Sequence, residues 1–291
     1  MKLKSLLFLA IFAGTACFRA AGESAPVAAL NAVPSPTPAK TAASDSETVP
    51  LLEMNIGGLL GGSRNGEWIS AKETAIALKG GEQYKLYNLE AIEPTAARGE
   101  SPTNGTPCED FYSIPVDKKT ALGGVAFGAS LDWNPLIRPV KKIAADSDIY
   151  RKIAVEVLSG KGLAEHTPKI KQIYQADLDG DGTAEVVLSA TSFKGGLSSR
   201  GSGGDYSFVL LRKVINGKAE NFVLDGDFVK EKSNADAPAE YKISSIADLN
   251  GDGKMEIVIY ARYYEGEWVE VFESKNDQPV EVEKLKIACG S

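Results

Sequence analysis

An acidic, glycine-bent segment that occurs twice constrains this chain more than any other feature. Residues 177–188 read DLDGDGTAEVVL and residues 248–259 read DLNGDGKMEIVI. The two are 71 positions apart, and nine of the 15 positions in 176–190 are identical in 247–261. Similarity at a fixed period marks a chain built from repeated supersecondary units. The flanks repeat as well. A strand precedes each acidic segment (169–176 and 241–247) and another follows it (185–192 and 256–263). A hairpin comes next, turning at Asn216-Gly217 in the first unit and at Asn276-Asp277 in the second. Asn-Gly suits a two-residue hairpin turn because both central residues take positive φ. Each unit is therefore predicted to be a four-stranded antiparallel sheet, the construction of a propeller blade.

The acidic segments have a chemical reading of their own. Asp177, Asp179 and Asp181 alternate along a loop in which Gly180 and Gly182 permit sharp bends. Converging carboxylates repel one another unless a cation sits among them. A hard dication with a flexible oxygen shell fits best, so Ca²⁺ is expected. The backbone carbonyl of Thr183 and the carboxylate of Glu185 are the remaining first-loop ligands. The second loop offers Asp248, Asn250, Asp252, the carbonyl of Lys254, and Glu256. Leu178 and Leu249 read as apolar anchors. With four carboxylates against three, the first loop is expected to bind more tightly. An EF-hand also opens D-x-[DN]-x-D-G, but it needs a glutamate at loop position twelve and flanking helices. That position is Leu188 or Ile259, inside β-branched runs that favour strands.

The pattern D-h-[DN]-x-D-G-x-x-[DE] between two strands resembles the calcium loops of FG-GAP/VCBS-type repeats, as in integrin-like propellers. The resemblance covers residues 168–291. It implies calcium ligands at loop positions one, three, five and nine: Asp177, Asp179, Asp181 and Glu185, then Asp248, Asn250, Asp252 and Glu256. Position nine is glutamate where the family often has the shorter aspartate. The family's Phe-Gly and Gly-Ala-Pro signatures are not found ahead of either loop.

Upstream, Lys2 and Lys4 precede a short apolar core, LLFLAIFAG, the pattern of a cleaved export signal over residues 1–22. This core is too short for a membrane-spanning helix. Its exit, GTAC, resembles a bacterial lipobox that would lipidate Cys17; cleavage after Ala16, Ala20 or Gly22 is the alternative. Residues 23–50 are rich in Ala, Pro, Ser and Thr without aromatics, and read as a disordered linker. Folding is expected from about Leu51. Segments 66–78, 82–92 and 108–116 read as strands, with a third sheet from residues 65–116. The clearest helix falls at about 147–159, capped by Asp146 or Ser147, with Ile149, Ile153 and Val157 on its apolar face and Gly160 or Gly162 ending it. The expected domains are thus an N-terminal β region, 51–167, and two repeats, 168–291. The fold class is mainly β, with two clear propeller-like blades, a possible third and one connecting helix, forming an open arc instead of a ring.

Cys108 and Cys289 are the two cysteines left if Cys17 is modified or removed, and an oxidising compartment predicts that they pair. A net charge of −7 excludes an electrostatic nucleic-acid footprint. With a single histidine, His166, there is little material for Ser/His catalysis or a multi-histidine metal site. The expected function is an exported, calcium-stabilised, non-catalytic binding or scaffold module of the bacterial cell envelope. Its partner would be an envelope protein or glycan, and its only membrane contact a possible N-terminal lipid. The alternative is an envelope glycan hydrolase, which requires convergent carboxylates away from the calcium loops. Simple packing within a larger envelope assembly is a third reading. Tyr260, Tyr263, Tyr264, Trp268 and Phe272 suit either a sugar platform or a sheet core; the alternation of a hairpin favours the core.

Overall fold

The computed structural model describes residues 48–89, 95–105, 108, 110–117, 124–128, 133–193, 201–231 and 237–290. The export signal, Cys17 and nearly all of the linker lie outside them. No helix among the described residues is long and apolar enough to cross a membrane.

The architecture is mainly β, built from three open, antiparallel sheets. The N-terminal sheet has eight strands: β1 (Val49–Glu53), β2 (Gly58–Arg64), β3 (Glu67–Ser70), β4 (Gln83–Tyr87), β5 (Thr95–Arg98), β6 (Thr103–Asn104), β7 (Tyr112–Ser113) and β8 (Val125–Gly128). Their order is β5-β4-β8-β1-β2-β7-β6, with β3 also paired to β2. The third sheet is therefore wider than residues 65–116, and the fold begins inside the expected linker, at Val49. Segment 66–78 is strand only over Glu67–Ser70. Ser70 and Glu73 form a capping box that starts helix α1 (Ala71–Ala77), so the described residues hold a helix besides the expected one.

Strand β9 (Lys141–Lys142) and helix α2 (Asp148–Gly160) lead into the first repeat. Ser147 is the α2 N-cap, although its side chain makes no capping hydrogen bond. Gly162, at φ 83°, ends the helix region, and Leu163 N–H closes it on Leu158 O at 2.9 Å. The buried face is Ile153, Ala154 and Leu158, whereas Ile149 is 68% exposed. That face lies one position round from the predicted one because Ala154 and Leu158 meet the sheet.

The first repeat is the meander β10 (Ile170–Ala176), β11 (Glu185–Thr191), β12 (Tyr206–Ile215) and β13 (Lys218–Phe228), with β9 added beside β10. The second is β14 (Glu240–Ala247), β15 (Glu256–Tyr263), β16 (Gly266–Lys275) and β17 (Gln278–Glu281). Its fourth strand is not continuous. A 3₁₀ turn at Glu283–Leu285 buries Leu285 fully, and β18 (Ile287–Gly290) then returns to pair with the other end of β16. The disulfide Cys108–Cys289, with a Cα–Cα distance of 5.3 Å, ties β18 to the N-terminal sheet region as expected.

Side-chain alternation explains the stacking. In β11, Val186, Leu188 and Ala190 face α2 with Ile153 and Leu158, while Val187 faces the second repeat. In β15, Ile257, Ile259 and Ala261 face the first repeat, while Val258 and Tyr260 join Leu51, Leu60 and Leu86 of the N-terminal sheet. The layers thus run helix, first repeat, second repeat, N-terminal sheet. Both central strands are buried on both faces, which is why their sequences are nearly unbroken apolar runs.

Candidate metal centre

Each acidic loop bridges the end of one hairpin. Ala176 pairs with Glu185 and Ala247 with Glu256, so the eight residues between them form the turn. Both loops bend at glycines in the same places, Gly180 (φ 81°) and Gly182 (φ 86°), then Gly251 (φ 78°) and Gly253 (φ 87°). Left-handed backbone is cheap only for glycine, which fixes the repeated G-D-G spelling.

Five carboxylate-centred hydrogen bonds hold the first loop, and the second reproduces them. Asp177 accepts from Gly180 N–H (2.8 Å) and Gly182 N–H (3.1 Å); Asp248 accepts from Gly251 N–H (2.7 Å) and Gly253 N–H (3.1 Å). Asp179 Oδ1 and Asn250 Oδ1 accept from Asp181 and Asp252 N–H. Asp181 and Asp252 in turn accept from the N–H of Thr183 and Lys254. Glu185 Oε2 and Glu256 Oε2 accept from the buried N–H of Leu178 and Leu249, at 2.8 and 2.7 Å. Leu178 and Leu249 are buried, as anchors should be. Backbone N–H groups thus already relieve part of the carboxylate repulsion, without any ion.

Asp177, Asp179 and Glu185 converge, each offering an oxygen within 4.8 Å of the others. Asp181 is not in that group: it stands exposed, turned to Thr183 N–H. Glu185 is 2% exposed, yet its Oε1 has no hydrogen-bond partner. An orphaned buried carboxylate oxygen is costly. Here it sits within a cluster of oxygen donors, the chemistry that a hard cation satisfies. Burial pushes the Glu185 carboxyl above its ordinary range. In the second loop Asp248, Asn250 and Glu256 are all buried, and burial raises the Asp248 and Glu256 carboxyls, the latter strongly.

Residues outside the acidic segments, and one contact between the segments, complete the centre. Arg138 donates through Nε to Asp177 O and through Nη2 to Leu178 O (2.8 Å) and Gly253 O (3.0 Å), joining the two loops. Met255 N–H also reaches Leu178 O at 2.8 Å. Trp133 Nε1 donates to Asp248 O, and Asp248 N–H to Pro135 O, so residues 133–138 lie across both loops. Lys213, buried on β12, places Nζ 2.5 Å from Asp179 Oδ2 and 3.2 Å from Asp277 Oδ1. Burial works against ionisation of Asp179, but Lys213 and the Asp181 N–H outweigh it and hold the carboxyl below its usual range. Nothing in the sequence signals Arg138 or Trp133. Lys213 carries one signal: it shares the inward parity of Val209 and Leu211.

Other candidates separate clearly. His166 is exposed. Tyr260 and Phe272 are buried in the two inter-sheet cores, and Trp268 packs edge-on against Tyr241 with centroids 5.7 Å apart, so most of the aromatic stripe is core. A carboxyl pair does exist away from the loops. Asp225 on β13 is in hydrogen-bond contact with Glu270 on β16, and Lys286 holds Glu270 at 2.7 Å. Burial, then the Glu270 contact, raises Asp225 to about 7. Carboxyls in direct contact leave no room for a glycosidic bond, whose acid and nucleophile stand roughly 5–5.5 Å apart or more. Compared with models of known protein families, with curated proteins and with solved structures, the chain matches none.

Proposed function

We propose that this chain is an exported, calcium-stabilised binding or scaffold module of the cell envelope, with two propeller-like blades of FG-GAP/VCBS type and no catalytic role. The observation that carries the metal reading is the convergence of Asp177, Asp179 and Glu185 around an oxygen, Glu185 Oε1, that is buried and unpartnered. The same hydrogen-bond frame recurs in the second loop, where Asp248, Asn250 and Glu256 are the equivalent donors. An all-oxygen set with a flexible shell favours Ca²⁺ over ions that prefer nitrogen or sulfur. The N-terminal signal, the Ala/Pro-rich linker and the disulfide support placement in an oxidising compartment. The direct contact within the Asp225–Glu270 pair favours binding over glycan hydrolysis. An envelope protein or glycan remains the expected partner.

Thermal melting with millimolar calcium and with a chelator tests this. A ligand at about 100 times its dissociation constant stabilises by roughly 2.7 kcal/mol. For a domain of this size that raises the melting temperature by several degrees, on the order of 2–4 °C per kcal/mol. Glu185→Gln should lose much of the shift. Identical melting curves with and without calcium would remove the metal from the proposal.

A further inference from the structure

We propose that Lys213 is a tethered counter-cation of the first loop, holding Asp179 while the loop is metal-free and passing to Asp277 when a divalent ion enters. This rests on the calcium reading of that loop and adds a regulator to it. Lys213 Nζ lies 2.5 Å from Asp179 Oδ2, and the other Asp179 oxygen accepts from Asp181 N–H. Both oxygens of a metal-ligand candidate are thus engaged, one of them by a full positive charge. The lysine has a second seat ready. Asp277, in the turn of the second repeat's hairpin, stands 3.2 Å from the same ammonium. A flexible four-carbon stem makes that exchange a small movement.

Comparison of the repeats isolates the lysine as a difference between them. Val186 pairs with Arg212, and the equivalent Ile257 pairs with Phe272, so Lys213 and Glu273 occupy matching places on β12 and β16. The first loop therefore faces a lysine where the second faces a glutamate. Glu273 is itself held by Lys275 and by Trp68 Nε1 (3.3 Å). Among the described contacts, the acidic side chains of the second loop accept only backbone N–H groups, and Asn250 adds a bond to Gly66 O. No lysine or arginine has to leave before an ion binds there. The count of four carboxylates against three thus overstates the first loop. It becomes the weaker, exchangeable site, and its occupancy is communicated to the β16–β17 turn through Asp277.

Calorimetric titration with calcium chloride tests this on the full folded chain. Wild type should show two classes of site. Lys213→Met should tighten the weaker class about tenfold, the scale of one charge-assisted hydrogen bond. The same variant should melt lower without metal and regain that loss in calcium, a pairing that a merely structural ion pair does not produce. Lys213→Arg should keep the weak class, and Asp277→Asn should weaken it further by removing the second seat. Unchanged affinities in both Lys213→Met and Asp277→Asn, with wild type still binding, would overturn the role of Lys213; should Lys213→Met not fold, Asp277→Asn alone decides. Absence of binding heat in wild type and every variant would instead overturn the calcium reading itself.

Discussion

Asp225 shows how one contact redirects a residue. It stands in the fourth strand of the first repeat, where alternation alone makes it another half-solvated acid. The neighbouring sheet brings Glu270 against it, and burial together with that contact raises the Asp225 carboxyl. Its folded pKa of about 7 is above the ordinary value of 3.8. The folded chain therefore holds a proton that the unfolded chain has lost over that interval. This contribution to stability is complete below about pH 4 and disappears as pH rises towards 7. Wild type should accordingly lose several degrees of melting temperature between pH 4.5 and 7.5 relative to Asp225→Asn, which keeps a hydrogen bond to Glu270 without titrating. Parallel pH profiles for the two proteins would show that the pair is not protonated in the fold. Of the first-loop residues, Asp177, Asp179 and Glu185 were legible from spacing. The outward turn of Asp181 was not, because Thr183 N–H competes for its oxygen within the same turn.

Strands β11 and β15 are the elements on which the stacking depends. Each deals alternate side chains to two different cores, so shortening a large apolar side chain on either face opens a cavity. Leu188→Ala, at a fully buried position facing α2, should cost about 2–5 kcal/mol in urea denaturation. Ile149→Ala, on the helix opposite, should stay within roughly 0.5 kcal/mol, since that side chain is exposed. Equal losses would mean that the helix packs through its first turn after all. The element types here followed well from period and turn chemistry: the first three strands of each repeat lie within one or two residues of their expected ends, whereas β13 runs on to Phe228 and the fourth strand of the second repeat stops at Glu281. Two readings failed for identifiable reasons. The S-x-x-E capping box at Ser70–Glu73 starts a helix within a segment whose strand formers favour β structure, so the strand expected there ends at Ser70. The break at Glu283–Leu285 arises because Leu285 is drawn into the N-terminal core, and local alternation contains no trace of that contact.

Across the whole molecule, the disulfide links residues 181 positions apart and anchors the last strand to the first sheet region. Cys289→Ser should lower stability by about 2–5 kcal/mol, measured by denaturant midpoint, with little change in the far-ultraviolet spectrum of the folded state. A midpoint equal to that of wild type would show that packing of Ile287 and Leu285 already holds that end. The pairing could be expected once Cys17 is assigned to the export signal, since the two remaining cysteines admit one answer. The repeat, its period, the glycine bends and the donor order in each loop were likewise carried by local sequence, because they depend on backbone conformation within a dozen residues. The stacking order of the sheets, the Arg138 link between loops, the lysine opposite Glu185 and the glutamate opposite Glu256 depend on which strands lie side by side. Those neighbours are 17 (Glu256 to Glu273) to 115 (Arg138 to Gly253) positions away along the chain. Only burial of both faces of β11 and β15, driven by removal of apolar surface from water, brought them together.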